Sequence, residues 1–220
     1  MRIDYQSDKY ALINSPAIEH RRNLRRVQHF LAPRPDERLL EVGCSRGYLT
    51  RLVQQAAPDT VGIDLNAAAI ARGVTNGLSV MDVRRLHFED ESFDKIFSFH
   101  CIEHVPDLET ALGEMDRVLK PGGSLLLAYP AEPIRGLYVI PTAWRVFGDP
   151  RVARDLHVHR LSPRRLVRFL AGTSLRVVES RFDLLATPQF MTLLRKSWSP
   201  ARWADESRRA RATEQAEAIA

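Results

Sequence analysis

Two short apolar segments constrain the fold of this chain most strongly. Residues 39–50, LLEVGCSRGYLT, join an apolar run that includes Glu41 to a glycine turn and a helix-forming stretch. Further along, residues 61–66, VGIDLN, form a second apolar run that ends at the acid Asp64. A strand, a glycine turn at a helix N-terminus and an acid closing the next strand together form a site for a ribose-bearing cofactor.

The rest of the chain continues this alternation of short apolar strands and helices. Helix stops and caps such as Asn66, the pair Ser162-Pro163 and the turn 120–123 separate the elements. The pattern predicts strands at 38–42, 60–64, 78–82, 95–100, 124–129, 175–182 and 190–196, and helices at 15–31, 47–56, 66–72, 108–119 and 162–171. We therefore expect an α/β fold: a seven-stranded sheet, mostly parallel with an antiparallel terminal hairpin, and helices on both faces.

One domain is expected from 220 residues with 45% hydrophobic content. The expected organisation is an N-terminal arm and helix at 1–35, the main domain at 36–199 with an insertion at 130–161, and a charged tail at 200–220. Two cysteines without metal or redox spacing, and no long apolar run, predict a cytoplasmic protein with no transmembrane segment. The net charge of +5 comes from basic residues scattered along the chain, so no nucleic-acid partner is expected.

The glycine turn decides between classes of cofactor. A dinucleotide turn reads G-x-G-x-x-G, but here Gly43 is followed by Ser45 and Gly47, and Tyr48 takes the place of the third glycine. The spacing resembles E/D-x-G-x-G-x-G, the first motif of class I S-adenosylmethionine-dependent methyltransferases. Ser45 stands where that family has its middle glycine, and a side chain there predicts ordinary backbone dihedrals.

Four further segments resemble the same family in the same order. They are MDVRRLHFEDESFDKIFS at 81–98, FHCIEHVPD at 99–107, EMDRVLKPGGSLLLAYP at 114–130 and HVHRLSPRRLVRFL at 157–170. The second is similar to the L-E-H-V-x-D signature of the small-molecule group that includes ubiquinone-biosynthesis methyltransferases. The resemblance implies a Rossmann-like fold and S-adenosyl-L-methionine as cofactor.

The resemblance also implies a set of cofactor-binding residues. Asp64 would accept both ribose hydroxyls, and Asp82 the adenine amino group, with Val83 as an apolar wall. Simpler alternatives are that Asp64 caps a helix and that Asp82 is paired on the surface. The full set is Glu41, Gly43, Ser45, Gly47, Asp64, Leu65, Asp82, Val83 and His100.

A hydroxyl acceptor has to lose its proton, which needs a residue that titrates near neutrality at the ligand-binding edge of the sheet. His104 lies just after the fourth strand and is the first candidate for a general base or acceptor-orienting residue; a purely structural role is the alternative. Weaker candidates are His100, Glu103, His157 and His159. No metal is expected, because His157 and His159 have no further ligands placed by the sequence.

The expected activity is methyl transfer to a small-molecule acceptor at oxygen. The apolar insertion with its arginines would suit a hydrophobic or anionic acceptor. RNA or protein methylation, and a catalytically silent cofactor-binding scaffold, stay open as alternatives. Neither the acceptor molecule nor the oligomeric state follows from the sequence.

Overall fold

The structure is a computed structural model that describes residues 17–131, 157–184 and 188–198. The N-terminal arm, the start of the first helix, most of the expected 130–161 insertion and the 200–220 tail lie outside the described residues.

The described elements alternate as the sequence predicts. Their order is α1 (Ala17–Leu31), β1 (Leu39–Val42), α2 (Tyr48–Val53), β2 (Thr60–Asp64), α3 (Ala67–Ala71), β3 (Leu78–Val80), β4 (Phe93–Phe99), a 3₁₀ turn (Ile102–His104), α4 (Leu108–Val118), β5 (Leu119–Pro130), α5 (Pro163–Phe169), β6 (Leu175–Asp183) and β7 (Gln189–Lys196). Two helix caps are confirmed: Asn66 accepts a hydrogen bond from the Ala69 amide at 2.8 Å, and Ser162 accepts one from the Arg165 amide at 3.3 Å.

The strands form one seven-stranded sheet in the order β3-β2-β1-β4-β5-β7-β6. The first five strands in this order are parallel to one another, and β7 pairs antiparallel with both β5 and β6. The predicted mostly parallel sheet with an antiparallel terminal hairpin is therefore confirmed. The chain leaves β1 toward β2 on one side and returns to β4 on the other, so a topological switch point lies between β1 and β4.

Side chains alternate between two cores, one on each face of the sheet. On one face α1 and α2 bury Val27 and Val53 against Leu39 and Phe97. On the other face α4 and α5 pack against the residues that alternate with these, among them Leu40, Val42, Ile96, Leu125 and Leu127. β1 is buried along its whole length, as a central strand covered on both faces requires. Helices on both faces are thus confirmed.

Two predicted boundaries were wrong in detail. β3 ends at Val80, so Asp82 lies in the turn beyond it. Residues 120–123 do not form a free turn: α4 does stop at Val118, but Leu119 already pairs with Phe93, and the next pair is Ser124 with Lys95. The register shift makes 120–123 an irregular part of β5, because the extra residues have to be accommodated between two paired positions.

Candidate active site at the carboxyl edge of the sheet

The glycine turn lies at the switch point, where parallel α/β sheets bind ligands. It connects β1 to α2, and its first residues are attached to the neighbouring strand: the amides of Gly43 and Cys44 both donate to the Ile63 carbonyl, at 2.8 and 2.9 Å. The Gly47 amide donates to the Cys44 carbonyl at 2.8 Å and closes the turn. The turn is therefore held by β2 before any ligand binds.

Three residues of this turn have left-handed backbone, and one of them corrects an expectation. Gly43 has φ +80° and Gly47 φ +74°, but Ser45 also lies at φ +50° instead of in an ordinary region. The Ser45 amide donates to Oδ2 of Asp64 at 2.7 Å, and this bond holds the residue in that conformation. The serine thus keeps a glycine-like backbone because the Asp64 carboxylate stabilises it.

Packing explains why two positions in the turn are glycine. A Cβ at Gly43 would lie 2.6 Å from Cys101 Cβ, and one at Gly47 would lie 2.6 Å from Leu78. Tyr48, which takes the place of a third glycine, stacks on His20 of α1 with ring centroids 5.2 Å apart. Burial raises the pKa of the Cys101 thiol and leaves it protonated.

Glu41 is buried beneath the turn, and Thr50 is its side-chain partner among the residues that the structure describes. Its side chain is 4% exposed, and Thr50 donates a hydrogen bond to its Oε2 at 2.5 Å. Burial, reinforced by the charge of Asp64, raises the pKa of Glu41 to about 8. At neutral pH the carboxyl is mostly protonated, so this pair of acids carries less negative charge than the sequence indicates.

Asp64 closes β2 and uses both carboxylate oxygens. Oδ1 accepts from the Asn66 amide at 2.8 Å, and Oδ2 accepts from Ser45. Burial raises the pKa of Asp64, although these backbone donors oppose the increase. The Leu65 amide is a third backbone donor to this side chain. A carboxylate has about four lone-pair positions, so it can still accept from a ligand hydroxyl. Leu65 follows it and is 41% exposed.

Asp82 lies at the same edge, one strand further out. Its carboxylate is paired with the Arg84 guanidinium at 2.6 Å, and this hydrogen-bonded ion pair lowers the pKa of Asp82. Asp82 therefore has the surface partner that the simpler alternative expects. Its binding of the adenine amino group stays a prediction. Val83 is buried in the core below.

Beyond β4, polar side chains form a connected network that extends from His100 to Asp183. His100 has φ +53°. In the amide orientation that satisfies both groups, buried Gln189 donates to His100 Nε2 at 2.9 Å and accepts from Arg26, which is paired with Asp183. His100 Nδ1 lies 3.5 Å from Oε1 of Glu103. The hairpin strand β7 thereby fixes the ring of His100 from behind.

Glu103, a weaker candidate from the sequence, is more deeply buried than the neighbouring His100 and His104. Its side chain is 1% exposed. Among the described residues, no donor lies at hydrogen-bonding distance and geometry from either of its carboxylate oxygens. His104 Nε2 lies 3.9 Å from Oε1, and the His104 ring is 5.1 Å from the ring of His157. Burial raises the pKa of Glu103, but the adjacent His100 and His104 rings outweigh burial and lower it. In the sequence these three residues stand in an H-x-x-E-H spacing at 100–104.

The site therefore has two halves at one edge of the sheet. The turn, Glu41 and Asp64 lie on one side of the switch point, and His100, Glu103 and His104 follow β4 on the other. Gly43 connects the halves through its close approach to Cys101. No helix within 17–131, 157–184 or 188–198 is long and apolar enough to span a bilayer.

Comparison with known proteins agrees with this geometry. Residues 40–127 match the family described as "Methyltransferase domain". The ubiquinone biosynthesis O-methyltransferase of Hahella chejuensis is 36% identical over 104 residues, which cover 43% of each chain. A demethylmenaquinone methyltransferase of Staphylococcus aureus is 31% identical over 139 residues, covering 58% of each. The malonyl-[acyl-carrier protein] O-methyltransferase of Serratia marcescens is 26% identical over 165 residues, or 73% of this chain and 62% of that protein.

The matched part thus spans between 43% and 62% of these three relatives' lengths. Among solved structures, the YcgJ protein of Bacillus subtilis has a TM-score of 0.63 at 16% identity, covering 82% of this chain and all of that one. An S-adenosylmethionine-dependent methyltransferase of Mesorhizobium loti has a TM-score of 0.62 at 17% identity, covering 78% and 96%. Residues 40–127 therefore match a methyltransferase domain in sequence, and the described fold is shared with these solved structures.

Proposed function

We propose that this chain transfers the methyl group of S-adenosyl-L-methionine to a small-molecule acceptor, and that the acceptor atom is oxygen. The observation that carries the proposal is the pairing of two half-sites at the switch point. One offers backbone and carboxylate acceptors for a nucleoside, and the other offers imidazole groups a short distance across the β1–β4 edge.

The cofactor occupies the first half-site in this proposal. The turn at Gly43, Ser45 and Gly47 approaches the methionine part, with Glu41 beneath it. The free lone pairs of Asp64 accept the ribose hydroxyls, and Leu65 covers the sugar. Asp82, Val83 and His100 border the adenine end. The support is the backbone bond from Ser45 to Asp64, which orients the carboxylate before the cofactor arrives.

The acceptor lies on the side of His104. Methyl transfer from a sulfonium is a displacement in which positioning supplies much of the rate, and a hydroxyl acceptor must also lose its proton. His104 is the proposed base or orienting residue. Two relatives are named as O-methyltransferases, of ubiquinone biosynthesis and of malonyl-[acyl-carrier protein], and these names support oxygen as the acceptor atom.

The test is transfer of a labelled methyl group to a panel of phenols, quinols, carboxylic acids and amines. We expect product with a hydroxyl- or carboxyl-bearing acceptor. His104→Ala should lower turnover by about 10²–10⁴ while affinity for S-adenosylhomocysteine hardly changes. His87→Ala, at an exposed histidine outside the site, is the matched control and should keep wild-type turnover.

Three outcomes would contradict this proposal. Methylation of amines alone would remove oxygen as the acceptor atom. Methylation of RNA or protein, without any small-molecule product across the panel, would favour the alternative substrates. A folded protein that binds the cofactor and transfers to none of these classes would favour the silent scaffold.

A further inference from the structure

We infer that Glu103, His104 and His157 form a binding site for a divalent first-row transition-metal ion, with one carboxylate and two imidazole ligands. The inference differs from the expectation, made from the sequence, that no metal is bound, because the fold brings Glu103 and His104 close to His157. The inference does not depend on the methyl acceptor.

The distances between the ligand atoms are close to those of a metal centre. One ligand atom from each residue lies within 4.8 Å of the other two, and His104 Nε2 is 3.9 Å from Glu103 Oε1. Two ligands at about 2.0–2.1 Å from one zinc ion stand roughly 3.3 Å apart in a tetrahedral site. Side-chain rotations that shorten these separations by about 1.5 Å or less would complete the site.

The buried carboxylate is the second, independent observation. Glu103 is 1% exposed, and both of its oxygens lack a hydrogen-bond partner among the described residues. A buried carboxylate without such partners is costly, and natural proteins pair these groups or use them as metal ligands. The imidazoles of His100 and His104 stand 3.5 and 3.9 Å from Oε1, and a bound cation would add the short contact that they do not make.

The backbone brings His157 to this carboxylate from a distant part of the chain. The His159 amide donates to the Glu103 carbonyl at 3.0 Å, and His159 Nε2 bonds to the Val105 carbonyl at 2.9 Å. These two bonds attach the segment that contains His157 to the loop after β4. They engage His159, and His157, two residues earlier, is the histidine of this segment whose ligand atom lies within 4.8 Å of those of Glu103 and His104.

His100 and Gln189, outside the proposed ligand set, orient the carboxylate of Glu103. Gln189 donates to Nε2 of His100, which leaves the Nδ1 proton of that ring for the side of Glu103, 3.5 Å away. Outer groups of this kind commonly fix the orientation of metal ligands. In this arrangement His100 and Gln189 are positioning residues and do not themselves touch the ion.

The ligand chemistry selects the class of metal. Two imidazoles and one carboxylate suit zinc, iron, cobalt, nickel and copper, whereas magnesium and calcium prefer oxygen ligands throughout. Three protein ligands leave at least one coordination position for water or for an oxygen atom of another molecule. A metal-bound His104 nitrogen does not accept a proton, so in the metal-bound protein the proposed role of His104 toward the acceptor is that of an orienting residue.

The experiment uses the full chain without a histidine tag, dialysed against chelator and then titrated with Zn²⁺ in a calorimeter. Co²⁺ is added in a parallel titration, because its visible absorption reports the coordination. We expect one ion per chain, and a loss of at least about 100-fold in affinity for both His157→Ala and Glu103→Gln. His87→Ala should bind Zn²⁺ like the wild type.

The thermal unfolding of each apo variant is recorded as a check on folding, and His157→Ala serves if Glu103→Gln does not fold. Absence of stoichiometric Zn²⁺ binding by the wild type would overturn the inference. Equal affinity of His157→Ala and wild type would do the same. Both readouts need neither cofactor nor acceptor, so their failure leaves the proposed methyl transfer to its own test.

Discussion

Replacing Glu41 by glutamine should change how the stability of this protein depends on pH. The carboxyl lies in the core beneath the turn, 4% exposed, and its pKa is raised to about 8 from the ordinary 4.5. Glutamine has the shape of the protonated acid and keeps an oxygen that can accept from Thr50. The substitution therefore removes the titration and preserves the contact.

The sign follows from the number of bound protons. Between pH 4.5 and about 8 the folded chain holds a proton on Glu41 that the unfolded chain has released. This contribution to stability is fully present below pH 4.5 and is lost as the pH rises through 8. The difference in pKa corresponds to at most about 5 kcal/mol across that range.

The measurement is urea unfolding of wild type and Glu41→Gln at several pH values from 5 to 9. The difference in unfolding free energy should move in favour of the variant as the pH rises, by several kcal/mol in total. Glu89→Gln, at an exposed glutamate, is the matched control and should track the wild type. Parallel curves for Glu41→Gln and wild type would refute the raised pKa.

Three further substitutions test the turn and the core. Gly43→Ala should cost about 2–3 kcal/mol in chemical denaturation, because a Cβ at φ +80° meets Cys101 at 2.6 Å. Ser45→Gly should stay within about 1 kcal/mol of wild type, because relief of the left-handed serine offsets the added freedom of the unfolded chain. Equal costs for the two would contradict this account of the turn. Tyr129→Phe should cost about 0.5–1.5 kcal/mol by losing its buried bond to Thr192, measured the same way.

Most of the fold could be predicted because its signals are local. Short apolar runs that end in glycine or acid mark the strands, and caps such as Asn66 and Ser162 mark helix starts. The placement of Asp64 and the turn at one edge followed from the parallel sheet. The irregular start of β5 was missed because the pairing of Leu119 with Phe93 depends on a neighbouring strand.

The arrangement of residues beyond β4 could not be predicted to the same depth. The proximity of Glu103 to His157 arises from backbone bonds of His159 across a long sequence separation, and a single sequence does not show such contacts. The chain of Gln189 and His100 depends on a strand of the terminal hairpin. The left-handed serine follows from its bond to Asp64, which outweighed the ordinary preference of its side chain.

The central claim is that the turn and Asp64 hold S-adenosylmethionine, and isothermal titration with S-adenosylhomocysteine and with NAD tests it most directly. We predict micromolar-range binding of S-adenosylhomocysteine, none of NAD, and a loss of about 1–3 kcal/mol in Asp64→Ala. Asp59→Asn, at an exposed aspartate, should bind like the wild type. Unchanged affinity in folded Asp64→Ala would remove Asp64 from the site, and tight binding of NAD would contradict the account as a whole.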